Sequence, residues 1–315
     1  MASSALPTNL SDNVHHQAGF LPEWDQQYMQ MSRGEFSGSV TKLRSGAICL
    51  FDEQMNRQVF QVGGLPEGKV GFGLPVRIAG NSYLCGQATE LGRLLVFSGS
   101  SGFEFLSPRD FRFFGVEIDV TRTDDLMLRR LVETLKATFA ACGRSIELNA
   151  GAEYLLRQSL FSVFDFGRKA EIENGDRFNR QIVGAVLDCL PDAGDREISV
   201  EKHWDTVSRM RDLVHGNPLC PRTVAEVTAE LGVSRRTLQN ACRDILDASP
   251  VQFLRALRLS EVRRAIADAP SVTDVATQYG FWHLGYFSRD YKAMFGESPS
   301  CTLRRYQQRA GAAHA

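Results

Sequence analysis

The chain has 315 residues, 43% of them hydrophobic and 23% charged, with a formal net charge of −1; this is an ordinary composition for a soluble protein long enough to form two domains. No stretch reaches the roughly 18 apolar residues of a membrane helix, no Lys or Arg precedes Arg33, and no early apolar run resembles a signal peptide, so neither a membrane span nor export is expected. The seven cysteines, at 49, 85, 142, 189, 220, 242 and 301, come no closer than 22 residues, which excludes a Cys-x-x-Cys metal or redox centre and fits a reducing cytoplasm.

Residues 1–27 are polar and irregular, with Pro7, Pro22 and the pair His15-His16, and read as a loosely ordered N-terminal segment. Residues 28–120 are rich in Gly and aromatics. They break into short runs at 39–43, 47–51, 58–62, 71–78, 93–97, 103–106 and 111–118, which predict strands separated by Gly and Pro turns and hence a β-sandwich or barrel. The set Phe97, Phe103, Phe105, Phe111, Phe113 and Phe114 suits a pocket or the core of such a sandwich. Helices follow. Thr123 with Asp124-Asp125 makes a cap, Leu128, Leu131, Val132, Leu135 and Phe139 form a stripe, and 154–166 and 178–190 read as two more. The β-rich domain with its helices is thus expected over 28–195, with 196–202 as a linker.

Chemistry is hard to place in this half. A metal site in a β-barrel needs closely spaced His ligands with a carboxylate, and no His lies between His16 and His203. Gly63 to Lys69 has the spacing of a phosphate-binding loop, but Val70 replaces the required Ser or Thr. Gly71, Gly73 and Pro75 also forbid the helix that would hold the phosphate, so the segment reads as a loop. Gly99-Ser100-Ser101-Gly102 lacks nucleophile-elbow spacing. An enzyme or sensor carrying an appended DNA-binding module remains the alternative, with no catalytic residue, metal ligand or cofactor to name.

The last hundred residues contain a degenerate repeat. Val224-Ala225-Glu226-Val227, Leu231-Gly232-Val233-Ser234, Leu238, Cys242, Leu246 and Ser249-Pro250 recur as Val272-Thr273-Asp274-Val275, Tyr279-Gly280-Phe281, Phe287, Tyr291, Phe295 and Ser298-Pro299. The offset is 48 residues before the turn and 49 after it. Each copy reads as a short helix, a Gly-centred turn and a second amphipathic helix, the arrangement of a helix-turn-helix. Opposite the apolar stripe of Leu238, Cys242 and Leu246 stand Arg235, Arg236, Gln239, Asn240 and Arg243, side chains that suit phosphates and base edges. Between the copies, 250–269 reads as one helix, with Val251, Leu254, Leu257, Leu259, Val262 and Ile266 apolar and Arg255, Arg258, Arg263 and Arg264 along the rest. About 18 helical residues span roughly 27 Å, enough to hold two recognition helices near one DNA turn, roughly 34 Å, apart. Residues 203–315 hold 15 Lys and Arg against 11 Asp and Glu, whereas 1–202 hold 21 against 26, so the basic half is the one with the repeat.

On these residues the region 203–310 resembles the double helix-turn-helix DNA-binding domain of the AraC/XylS family of bacterial transcription regulators. Trp204 to His215 would be its first helix and Gly216-Asn217-Pro218 the stop. The closest likeness lies in Gly280-Phe281, Phe287-Ser288-Arg289, Tyr291-Lys292, Phe295-Gly296 and Ser298-Pro299. The resemblance implies that Arg236, Gln239 and Asn240 of the first unit and His283, Ser288 and Arg289 of the second face bases, and that Arg243 and Lys292 meet phosphates. His283 equally suits a packed turn position. Cys242 replaces the usual aromatic, Asp247 the usual Gly, and Trp282-His283-Leu284-Gly285 the usual small polar residues. The Phe281-to-Gly285 variant resembles the branch with ethanolamine-utilisation regulators. The family likeness further implies an α+β chain: a cupin-like β-rich domain with following helices that binds a small effector and supports a homodimer, then the all-α domain. Its partners would be double-stranded DNA and RNA polymerase, and its action activation of transcription.

Overall fold

The computed structural model describes residues 6–98, 102–165, 175–190, 200–217, 219–220 and 223–313. The chain divides into two compact units, Met1–Tyr28 with Ser37–Glu201 and Met29–Phe36 with Lys202–Ala315. The expected linker at 196–202, the tetrapeptide at Gly99 and Pro218 lie wholly or partly outside the described residues.

The first unit is built on two sheets. Strands β1 (Thr8–Ser11), β3 (Gly38–Ser45), β4 (Ile48–Met55), β11 (Arg109–Asp119), β6 (Lys69–Ala79), β9 (Arg93–Ser98) and β12 (Ser145–Glu147) form one in that order, and β2 (Gln27–Gln30), β5 (Val59–Gly63), β10 (Phe103–Ser107), β7 (Tyr83–Leu84) and β8 (Gln87–Ala88) form the other. The large sheet is buried on both faces, and strand alternation sorts its side chains. Ile48, Leu50, Val70, Phe72, Leu74, Phe114 and Val116 face an aliphatic core completed by the helices α2 (Leu126–Cys142), α3 (Ala150–Asp165) and α4 (Gly175–Cys189). Phe51, Phe97, Phe111 and Phe113 point the other way. Their rings meet Phe103 and Phe105 of the small sheet, with centroids 4.8 Å apart for Phe97–Phe103 and 5.4 Å for Phe105–Phe111. Phe114, grouped by sequence with these rings, instead packs on Phe161 and Phe164 at 4.8 and 5.2 Å.

Glycines inside the strands make the aromatic layer fit. A Cβ on Gly115 would lie 2.0 Å from the Phe51 ring, and one on Gly71 would lie 2.4 Å from Trp24, so here glycine marks where a ring lies on the backbone. Residues 64–68 form a loop between β5 and β6, and Lys69, the first residue of β6, is buried against Glu23, Glu117 and Asp119 rather than offered to a phosphate. The N-terminal segment differs from expectation. β1 pairs with β3, α1 (Val14–Ala18) is capped by Asn13, and Trp24 is buried with its indole N–H on Glu117 at 3.0 Å. Its polar residues are ordered because they bond to the large sheet. Within the Thr123 to Asp125 cap, Asp125 accepts from Met127 N–H at 2.8 Å and Thr123 Oγ1 from Asp125 N–H at 3.0 Å.

The second unit is helical: α5 (Trp204–Val214), α6 (Val224–Leu231), α7 (Arg235–Leu246), α8 (Pro250–Ala265), α9 (Val272–Gln278), α10 (Leu284–Phe295) and α11 (Pro299–Ala313). A capping box of Ser249 and Gln252 and Pro250 in the first turn start α8. It ends four residues before Ala269, in a turn closed by Asp268 N–H on Ala265 O and Ala269 N–H on Ile266 O, and Pro270, which disfavours helical geometry at Ala269, prevents it from resuming. Met29–Phe36 belongs to this unit: Gly34 N–H donates to Ala293 O and Met294 O at 3.1 Å, and Gln30 Nε2 to Met294 O at 2.6 Å. These bonds satisfy carbonyls in the last turn of α10 that have no helical partner. No helix among the described residues is long and apolar enough to cross a membrane.

Candidate nucleic-acid interface

The first helix-turn-helix is α6, the turn at Gly232 and α7. Thr223 caps α6, and Gly232 ends it at φ +67°, with Val233 N–H closing on Thr228 O. Ser234 then accepts from Thr237 N–H at 3.0 Å to start α7. Leu238, Ala241, Cys242, Ile245 and Leu246 are buried, which fixes the rotation of α7 and leaves Arg235, Arg236, Gln239 and Arg243 exposed with Asn240 half-buried. Positions 236, 239, 240 and 243 thus share one face. Arg243 Nε bonds to Asp244 at 3.1 Å, and Asp244 also holds His203 Nδ1 at 2.9 Å. Cys242 is a core residue whose thiol burial pushes up to about 12, so it stays a neutral thiol at physiological pH.

The second unit is α9, the turn at Gly280 and α10. Ser271 caps α9 through Asp274 N–H at 3.1 Å. His283 occupies the corresponding place before α10 but makes no side-chain capping bond. Phe287, Asp290, Tyr291, Met294 and Phe295 are buried; His283, Leu284, Gly285, Tyr286, Ser288, Arg289 and Lys292 are exposed. His283 therefore faces outward, not into the turn. Burial pushes the Tyr291 hydroxyl up to about 12, and the group donates to Thr302 Oγ1 at 3.0 Å.

Two exposed aromatics, Trp282 and Tyr286, stand on this face, and of these the sequence did not single out Tyr286. The Tyr286 ring lies 4.9 Å beneath the Arg289 guanidinium and 6.2 Å from the His283 ring, and Trp282 stands beside them. The spacing 283, 286, 289 was the available signal, since residues three apart are neighbours on a helix. Between the start of α7 and the start of α10 runs a groove of about 480 Å³, lined among others by Arg235, Val251, Arg255, Trp282 and Tyr286. Val251, expected in the core of the linking helix, is exposed there.

The basic residues of α8 divide by task. Arg258 donates to Tyr279 O at 2.9 and 2.6 Å under cover of the Phe281 ring, and Arg263 is buried between Glu297 at 2.9 Å and the Phe295 ring at 4.5 Å. Both fasten the second helix-turn-helix to α8, as does the 2.7 Å ion pair from Arg255 to Asp290. At the end of α5, His215 Nδ1 at 2.9 Å and Gly216 N–H at 3.1 Å donate to Glu261 of α8, which also accepts from Arg264. Burial alone would raise the Glu261 carboxyl, but these bonds hold it below its usual range. Buried charge-assisted bonds thus tie the linking helix to the second helix-turn-helix and to the end of α5, and exposed cations left for an outside anion include Arg235, Arg236 and Arg243 on α7 and Arg289 and Lys292 on α10.

Residues 227–305 match a family model described as a helix-turn-helix domain. The "Probable thc operon regulatory protein" of Rhodococcus erythropolis is 38% identical over 97 residues, 30% of this chain and 29% of the relative. The "XylDLEGF operon transcriptional activator" of Pseudomonas putida is 38% identical over 129 residues, 39% of this chain and 40% of the relative. A solved structure of a probable AraC family transcriptional regulator from Rhodopseudomonas palustris is 35% identical, covers 32% of this chain and 97% of that one, and superposes with a TM-score of 0.29. The chain therefore spans less than half the length of these curated relatives.

Proposed function

We propose that this chain, which carries a helix-turn-helix domain of AraC type, is a sequence-specific transcription regulator that places α7 and α10 in adjacent major grooves and activates transcription in response to a small organic effector. The observation that carries the reading is the pair of helices α7 and α10, each anchored by a buried apolar face and each presenting exposed polar side chains, joined through the internally bonded α8. Arg236, Gln239 and Asn240, with His283, Ser288 and Arg289, read base edges; Arg243 and Lys292 hold phosphates. Activation is suggested by the relatives named as activators, and a contact with RNA polymerase by the family resemblance. The helices behind the large sheet suit a homodimer contact, with Tyr154 and Leu155 exposed on α3. The Phe281-to-Gly285 stretch supports a place near the ethanolamine-utilisation branch but specifies no effector. The protein would act in the cytoplasm.

Mapping sites bound by the full chain in cells, then measuring affinity for one such site at increasing salt, tests this. Several phosphate contacts require the logarithm of affinity to fall linearly and steeply with the logarithm of salt. A folded chain with no salt-sensitive preference for any genomic site would overturn the proposal.

A further inference from the structure

The aromatic layer of the first unit surrounds a small cavity lined by Trp24, Phe51, Phe97, Phe103, Phe105, Phe111 and Phe113, with Gln26, Glu53 and Gln61 as its polar members. Among the described residues no basic side chain lines it. Glu53 comes from β4 and is buried, and both of its hydrogen bonds go to Oε1, from Gln17 Nε2 and from the Tyr28 hydroxyl, each at 3.1 Å. The Tyr28 hydroxyl has a single proton for two acceptors, Glu53 Oε1 and Gln26 Oε1 at 3.0 Å. Gln26 Nε2 and Gln17 Oε1 are buried without a hydrogen-bond partner, which a native site ordinarily answers with water or a ligand.

The cations near this sheet face are engaged elsewhere. Lys42 Nζ donates to Phe20 O at 2.6 Å, and Lys69 and Arg44 pair with Glu117 at 3.3 and 3.6 Å. The titratable groups that bear on Glu53 are Tyr28 from β2 and Asp52 on its own strand. Glu53 is therefore a buried carboxylate with neutral donors, next to a layer of π-faces that attract positive charge.

We propose that this cavity binds a small organic cation, an alkylammonium group seated among the rings against Glu53, with a hydroxyl or carbonyl oxygen accepting from Gln26 Nε2. The proposal rests on the effector-responsive reading above and gives its effector a chemical class. Anions are disfavoured, since the cavity supplies a carboxylate and no compensating base. The free space among the rings admits about one water molecule, so a ligand of this class requires the lining rings to move apart. Because burial pushes the Glu53 carboxyl up to about 7, a cation must first meet it deprotonated. Affinity then falls as pH drops below 7 and levels off above it.

Titration of the full chain with choline, its uncharged isostere 3,3-dimethylbutan-1-ol and benzoate, read by calorimetry and Trp fluorescence, tests the proposal. Choline should bind saturably and about tenfold more weakly at pH 6 than at pH 8, the ratio set by protonation of one group near 7. The isostere should bind at least about tenfold more weakly than choline, and E53Q should abolish that preference. The pH series on the unaltered chain keeps the test decisive if E53Q does not fold. Benzoate or the isostere binding as well as choline would overturn the cation class and leave the effector reading standing. Water alone in the cavity, seen as no saturable binding by any of the three probes, would overturn the site. An absence of any metabolite-dependent change in DNA affinity would overturn the effector reading itself.

Discussion

The two helix-turn-helix units follow one pattern and complete it with different chemistry. In the first, Ser234 caps the recognition helix, the small Cys242 fills the core, and the helix ends on Asp247 at φ +51°. In the second there is no side-chain cap, the core is a chain of rings from Phe281 through Phe287 and Tyr291 to Phe295 with centroids 4.7–5.7 Å apart, and the end is Gly296 at φ +81°. The exposed faces differ just as much: Arg236, Gln239 and Arg243 against His283, Tyr286, Arg289 and a bare Gly285. The repeated positions are those that close a turn or bury a stripe, where the fold leaves few choices. The outward face is free to vary, and there the units diverge.

The sharpest test of this difference is stability. Removing a ring from the second unit by Phe287→Ala should cost about 3–5 kcal/mol, whereas Cys242→Ala in the first should cost about 1 kcal/mol. Urea unfolding of both variants checks it, and equal losses would mean that the two cores bear equal weight. Next in size is the division of labour on DNA. Arg236→Ala should lose roughly 1–3 kcal/mol at one base pair and relax preference there, while Lys292→Ala should weaken all sequences alike and flatten the salt slope by about one unit. Binding profiles over a randomised site decide between these roles. A change of base preference in Lys292→Ala alone would reverse reader and anchor.

The repeat was legible because turns and stripes leave spacing in the sequence: Gly232 and Gly280, Ser249-Pro250 and Ser298-Pro299 mark element ends by chemistry that acts locally. Strands of the first unit were legible for the same reason. What stayed hidden depends on residues distant in the chain. Gly71 and Gly115 fall within the predicted strands, but the reason for glycine there, that Trp24 and Phe51 lie on the backbone, comes from residues distant in the chain. Nothing in the sequence around Glu53 marks it, because its partners Gln17 and Tyr28 come from distant positions in the chain. Arg258 and Arg263 counted as part of a basic surface, though both are buried ties. Net charge on the helical half therefore overstates the cations that DNA can meet.

A smaller effect should appear at Gly285, where an added Cβ meets nothing within 4 Å. Gly285→Ala should stabilise α10 by roughly 0.5–1 kcal/mol, since glycine inside a helix carries that entropic penalty. If the bare backbone is there for close approach of DNA, specific affinity should fall while thermal stability rises. A variant that gains in both would show that this part of α10 stands clear of the groove.

The smallest expected change lies at the end of the first unit's recognition helix. Asp247 adopts φ +51° and ψ +41° and closes the helix with its N–H on Arg243 O at 3.0 Å. An L-residue other than Asn or Asp is strained in that region, and Asp is tolerated at some cost that glycine would not incur. Glycine also gives the unfolded chain more freedom, which offsets part of the gain. Asp247→Gly should therefore stabilise the helical unit by only a few tenths of a kcal/mol. The altered position also removes a negative charge from the end of a helix whose dipole already disfavours one, which works in the same direction. Chemical denaturation at low and high salt separates the contributions: the electrostatic part shrinks with screening and the backbone part does not. A net loss of stability at both salt concentrations would mean that the Asp247 side chain makes this turn, and that the first unit does not end as the second does.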